Sequence, residues 1–224
     1  SALRHYAGEW GPRYDVDRNN KRVAKNYARA LRALSQHAQA VAVLRGLAIR
    51  LPRDQEVLGA YGKALADDGK LQEAAKVLEN AHTPERPNWS ILSAQGSVAD
   101  QMGDHVRAQD YYAAALKIRP NDPTVLSNLG LSYALSRNLP SAETTLRSAA
   151  AQPGADIRVR QNLALVLALE GKFVEAEDIS RRDLSPADAA ANVAGIRRMI
   201  SQSNTWRDIK QVDQPGKKAK QARG

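Results

Sequence analysis

The sequence predicts an all-α protein, a solenoid of stacked helix hairpins closed at its carboxy end by a capping helix. Three observations carry that prediction. The segments HAQAVAVL, LQEAAKVL, HVRAQDYY, LPSAETTL and FVEAEDIS align without gaps on Ala40, Ala74, Ala108, Ala142 and Ala176, a spacing of 34 residues each time. A second small residue stands twelve positions before each anchor: Ala28, Gly62, Gly96, Gly130 and Ala164. Of the 224 residues, 43% are hydrophobic but only 5% aromatic, and no β-branched run alternates. That composition favours helices packed through small contacts over an aromatic-rich sheet.

Each element follows from local chemistry. Residues 1–17 do not fit the period, and Gly8, Gly11 and Pro12 predict an irregular lead-in, with Trp10 or Tyr14 packing on the first helix. Residues 18–185 form five hairpins. A small side chain on each helix lets the pair approach closely while larger neighbours fill the grooves beside it. Gly69, Gly103 and Gly171, each five before an anchor, suit the left-handed residue that ends a first helix, and Ser35 and Arg137 stand at that place in the other two units. In YYAAALKIRPNDP, Pro120 cannot extend the helix and Asn121 or Asp122 caps the next one ahead of Pro123. Ala113 to Ala115 in that stretch are expected to leave room for neighbouring helices. Residues 186–206 form an amphipathic cap of roughly four turns, opened by Pro186 and buried through Val193, Ile196, Met199 and Ile200. Residues 207–224 are a basic, flexible tail.

Period, small residues and the closing prolines Pro52 and Pro120 together resemble the tetratricopeptide repeat. The resemblance implies a right-handed superhelix whose first helices line a concave, partner-binding face. Pro84, Pro153 and Pro186 lie out of register, and the fifth unit departs at Arg160 and Asp183, which reads as a terminal unit adapted to meet something else. Projecting first-helix positions gives three zones: basic (Arg22, Lys25, Arg29, Arg32, Lys63), polar (Ser90, Ser93, Ser97, Asp100, Gln101) and apolar (Leu131, Leu135, Leu165, Leu169). The basic zone is expected to recognise an acidic or carboxy-terminal peptide. The leucines are expected to be covered by the carboxy-terminal helix with Trp206, or else by a partner helix. Asn128 and Asn162 share a register; asparagines there either bond locally or, in peptide-clamping members, touch ligand backbone.

Other classes find little support. With no cysteine there is no disulfide and no thiol chemistry. The longest apolar run, Leu163 to Leu169, is too short to span a bilayer. The net charge of +9 is concentrated at the ends, +8 over residues 1–53 and +4 over 207–224, with −3 between. No continuous basic face with interleaved aromatics appears, so nucleic acid is not the expected partner. His5, His37, His82 and His105 have no metal-ligand spacing and read as solvated helix-end residues, and Glu175 and Glu177 read as exposed face residues. No phosphate loop or nucleophile elbow occurs, so neither enzyme nor cofactor is expected.

A narrower resemblance covers Leu31 through Trp206. The runs DPTVLSNLGLSYALSRNLPSAETTLR and RVRQNLALVLALEGKFVEAEDISRRDLSPADAAANVAGIRRMI, with the following Trp206, are similar to the TadD family of tight-adherence (Flp) pilus systems in Gram-negative bacteria. The ending AAANVAGIRRMI is its most telling part. That similarity implies an outer-membrane-associated periplasmic lipoprotein that assists assembly of the pilus secretion channel, with a secretin or another assembly component as partner. The lipidated cysteine of such proteins is absent here, so any lipid anchor must lie upstream, and the missing initial methionine is read as a mature or trimmed chain. The competing readings are a cytosolic co-chaperone or regulatory adaptor, and a helper domain of a larger enzyme such as a glycosyltransferase.

Overall fold

The structure is a computed structural model describing the backbone of residues 2–212 and the side chains of residues 7–202. It contains α1 (Ala2–Val16), α2 (Lys21–Ala33), α3 (His37–Arg50), α4 (Gln55–Asp67), α5 (Leu71–Glu79), α6 (Trp89–Gln101), α7 (His105–Ile118), α8 (Pro123–Leu135), α9 (Leu139–Ala150), α10 (Ile157–Leu169), α11 (Phe173–Ser180) and α12 (Pro186–Val212). Among the described residues no strand forms. From α2 to α11 the helices pair into five hairpins, an α-solenoid.

Two rows of backbone chemistry repeat with the period. Each hairpin's first helix starts on an Asn or Asp whose side chain accepts from amides of the first turn: Asn20, Asp54, Asn88, Asp122 and Asp156. At each corner a left-handed residue turns the chain: Ser35 (φ 59°), Gly69 (75°), Gly103 (85°), Arg137 (65°) and Gly171 (81°). The amide after it reaches five residues back, as from Lys70 to the Leu65 carbonyl at 2.9 Å, closing the helix end. The left-handed corners therefore fall where the sequence places them, on glycine or not.

The small residues do the packing expected of them. All five anchor alanines are 0% exposed. A Cβ added at Gly62 would lie 2.6 Å from Leu78 Cγ, and one at Gly130 would lie 2.6 Å from Leu146 Cγ, so the missing side chain is occupied by the partner helix. Of the three adjacent alanines only Ala115 is fully buried; Ala113 faces solvent, where its role reduces to helix propensity.

Five expectations need correction. The lead-in is helical, not irregular. Gly11 has no Cβ to clash with Pro12, which relieves the usual bar to helix before proline. It also faces the Tyr27 ring of α2, which a Cβ there would meet at ordinary contact distance, 3.4 Å. Trp10 is buried and Tyr14 packs on Tyr27 at 5.5 Å between ring centres, so tertiary contact holds a segment whose composition reads as a break.

The fifth unit's departures meet each other rather than an outside group. Arg160 grips Asp183 through two hydrogen bonds of 2.6 Å, and its third nitrogen donates to the Ala155 carbonyl at 2.9 Å. The cap is longer than expected, Pro186–Val212, and opens on Ser185, whose hydroxyl accepts from the Asp188 amide. It buries Ala189, Val193 and Ile196 against α10 and α11, but Met199 stays 61% exposed. Among the described residues the α12 backbone does not come close to α8, where Leu135 stays 57% exposed. The side chain of Trp206 and residues 213–224 lie outside the described residues.

Candidate functional site

The backbones of the first helices approach one another in sequence, α2 to α4, α4 to α6, α6 to α8 and α8 to α10, whereas the second helices meet only through long side chains, as Arg147 on α9 meets Glu175 on α11. Helices that approach on one side and splay on the other curve the stack, which puts α2, α4, α6, α8 and α10 on the inner face. One register on that face, eleven before each anchor, reads Arg29, Lys63, Ser97, Leu131, Leu165. It runs from cation through hydroxyl to leucine.

At the basic end a cavity of about 600 Å³ opens between α2, α4 and the start of α6. Several cations in and beside it already have acids. Lys25 pairs with Glu56, and Lys21 with Asp54 at 2.6 Å and Glu56 at 2.8 Å, while Arg32 meets Asp67 at 2.6 Å. Lys63 is different. Its ammonium donates to the Ser90 hydroxyl at 2.6 Å and makes no ion pair among the described residues. Burial, with the Arg32 charge adding to it, pushes its pKa down from the usual lysine value. Arg22 and Arg86 likewise make no ion pair among the described residues.

Arg86 was not foreseen, because only helical positions were projected. α5 ends at Glu79, and the irregular stretch 80–88 that replaces its last turn carries Arg86 and Pro87 to the cavity rim. The out-of-register Pro84 is the sequence signal of that change. The stretch is held by His82, whose ring bonds the Gln95 carboxamide at 3.0 Å, and by the turn from Thr83 to Arg86.

In the polar middle, Asp100 turns inward instead of lining the face. Its carboxylate meets the His105 ring at 2.9 Å and accepts from the Tyr112 hydroxyl at 3.2 Å and the Ser132 hydroxyl at 2.7 Å, tying α6, α7 and α8 together. Burial and that carboxylate push the Tyr112 phenol well above its usual range. Gln101 donates back to the Ser97 carbonyl at 3.2 Å. Asn128 donates to Ser93 at 3.4 Å and Asn162 to Ser127 at 3.0 Å, each reaching the preceding first helix. Each asparagine thus spends one donor on the neighbouring first helix.

At the apolar end Leu135 is 57% and Leu169 40% exposed, with Leu131 and Leu165 half-buried. The remaining singled-out residues serve structure. His82 and His105 are hydrogen-bonded rather than solvated, His37 is half-buried, and the His5 side chain lies outside the described residues. Glu175 and Glu177, expected on an exposed face, are half-buried and pair with Arg147 and Arg181, each at 2.5 Å. Among the described residues no group of three His, Cys, Asp or Glu could hold a metal, and no helix is long and apolar enough to cross a membrane.

The model of the tetratricopeptide repeat family matches residues 26–88 and 93–156, more than half of the sequence. The chain belongs to the tetratricopeptide repeat family. It is a protein–protein interaction scaffold of that fold, a class typically without enzymatic activity. A curated relative, "Uncharacterized protein y4yS" of Sinorhizobium fredii (strain NBRC 101917 / NGR234), is 33% identical over 106 residues, which is 47% of this chain and 58% of that protein. Among solved structures, "APC/C hetero-tetramer Cut9-Hcn1" superposes with TM-score 0.67 at 16% identity, over 86% of this chain and 40% of that one. "MamA 41-end from Desulfovibrio magneticus RS-1" gives TM-score 0.54 at 21% identity, over 82% and 97%. These two share the repeat fold.

Proposed function

We propose that this tetratricopeptide repeat protein is a non-enzymatic assembly factor of a tight-adherence pilus, holding a component of the secretion channel on its inner face. The observation that supports a holding role is the state of that face. Lys63 has no carboxylate partner among the described residues, and two leucines remain exposed although the cap has apolar side chains to bury. Both arrangements are improved by an incoming segment. The pilus assignment rests on the resemblance of residues 31–206, including AAANVAGIRRMI, whose Ala189, Val193, Ile196 and Ile200 form the stripe packed on α10 and α11. Under this reading the protein works in the periplasm at the outer membrane, through a lipid anchor upstream of these residues, with a secretin or another assembly component as partner.

The test is fractionation of cells carrying the tagged natural gene, followed by cross-linking and mass spectrometry. Recovery in the envelope with a pilus secretin or assembly protein is expected. Recovery in the cytosol with a chaperone or regulator would replace this reading by that of a cytosolic adaptor.

A further inference from the structure

The inner face is graded, and the gradient sits in single registers. Eleven before the anchors it runs Arg29, Lys63, Ser97, Leu131, Leu165; seven before them the last two residues are Leu135 and Leu169. Lys63 and Arg86 at one end make no ion pair among the described residues, and Leu135 and Leu169 at the other are 57% and 40% exposed. α12 packs on α10 and α11, yet Leu135 on α8 and Leu169 on α10 keep that exposure.

We infer that the inner face binds one extended protein segment carrying a pair of acidic residues and, about six residues away, a pair of leucine-like residues. Charge complementarity fixes the acidic end at Lys63 and Arg86, and the leucines fix the apolar end. The spacing follows from geometry. Lys63 on α4 and Leu131 on α8 are two first helices apart, and packed helices lie about 8–10 Å apart, giving roughly 16–20 Å. An extended chain rises about 3.3 Å per residue, so about five or six residues bridge that distance. This deepens the scaffold reading and does not depend on which assembly the protein serves. A pilus component could be absent from the envelope cross-links while the peptide preference stands, or the reverse, so the two failures are separate.

The experiment is fluorescence anisotropy with synthetic peptides holding an Asp-Glu pair and a Leu-Leu pair separated by two, six or ten Gly/Ser residues, in both chain orders. The protein is used whole. In one order the six-residue spacer should bind best, weakening at higher salt. Lys63→Glu and, separately, Leu135→Ser should each weaken binding about tenfold; Leu135 is exposed, so that variant keeps the fold even where Lys63→Glu does not. Binding that ignores the spacer overturns the inference. So does displacement of the peptide by a uridine oligonucleotide at equal concentration, which would make the basic end a nucleic-acid site. Sedimentation showing a dimer of the free protein that Leu135→Ser dissociates also overturns it, by assigning the leucines to a second copy.

Discussion

Replacing Gly96 by alanine tests the packing rule on which the array stands. Gly96 lies inside α6, and a Cβ there would fall 2.6 Å from Tyr112 Cε1, 2.8 Å from Cζ and 2.9 Å from Cδ1. The ring cannot retreat: Tyr112 is 2% exposed and its hydroxyl is bonded to Asp100 at 3.2 Å. Overpacking of this kind costs about 1–3 kcal/mol. Alanine's better helix propensity returns about 1 kcal/mol, leaving a net destabilisation of up to about 2 kcal/mol. Two neighbours calibrate the result. At Gly195 in α12 nothing lies within 4 Å of the added atom, so Gly195→Ala should show the propensity gain alone. At Gly59 the close atom is the terminal methyl of Ile91, 2.5 Å away, which a side-chain rotation can move, so Gly59→Ala should cost less than Gly96→Ala. Urea unfolding followed by circular dichroism reads all three, with the slope checked for constancy. A Gly96→Ala midpoint at or above the parent's, with Gly195→Ala raised, would refute the reasoning.

The other perturbations address packing, charge and pH. Ala108→Leu, at an anchor that is 0% exposed, should lower stability by about 1–3 kcal/mol in the same urea assay. Arg160→Leu and Asp183→Ala should each destabilise by stranding the other's charge, while the double variant should recover most of the loss; simple additivity in the cycle would count against a matched pair. Glu143 is held down at about 2 by hydrogen bonds from Lys172 and then Arg147. Its folded value lies below the ordinary 4.5, so its contribution is complete above that value and disappears as the pH falls toward about 2. The midpoint difference between parent and Glu143→Gln should therefore shrink as the urea assay is moved from neutral pH to about pH 2.

What could be read from sequence was whatever recurs. The alanine anchors, the facing small residues and the left-handed corners each repeat five times, and recurrence at a fixed spacing is visible without coordinates. The row of caps at Asn20, Asp54, Asn88, Asp122 and Asp156 is equally legible, twenty before the anchors, although the local reading of YYAAALKIRPNDP leaves Asn121 and Asp122 as alternatives. The helical state of α1 was not legible, because Gly11 and Pro12 have a local meaning and a tertiary one, and only the position of Tyr27 chooses between them. The inward turn of Asp100 was hidden for a similar reason. A polar residue on a first helix projects to the open face unless hydroxyls on two other helices reach it. In the candidate site, ion pairing inside the basic zone depends on side chains more than thirty positions away, as Lys25 and Glu56 show, so it is not legible from the residue types of the zone.

Variation within the period carries the remaining information. Sixteen before and seven after the anchor stand Ala24 with Leu47, Leu58 with Ala81, Leu92 with Ala115, and Leu126 with Ala149, in every case one large side chain and one small. The fifth pair, Arg160 with Asp183, is in direct contact and so reveals what the other four have in common. Two positions that face each other can exchange volume, or exchange volume for charge, without altering the hairpin. The inner-face registers vary more widely, from arginine and lysine through serine to leucine along the stack, and part of that variation is balanced inside the chain: Arg32 meets Asp67 at 2.6 Å and Gln101 reaches back to Ser97. At Lys63, which donates to the Ser90 hydroxyl and makes no ion pair among the described residues, the balancing carboxylate is the one the proposed segment would bring.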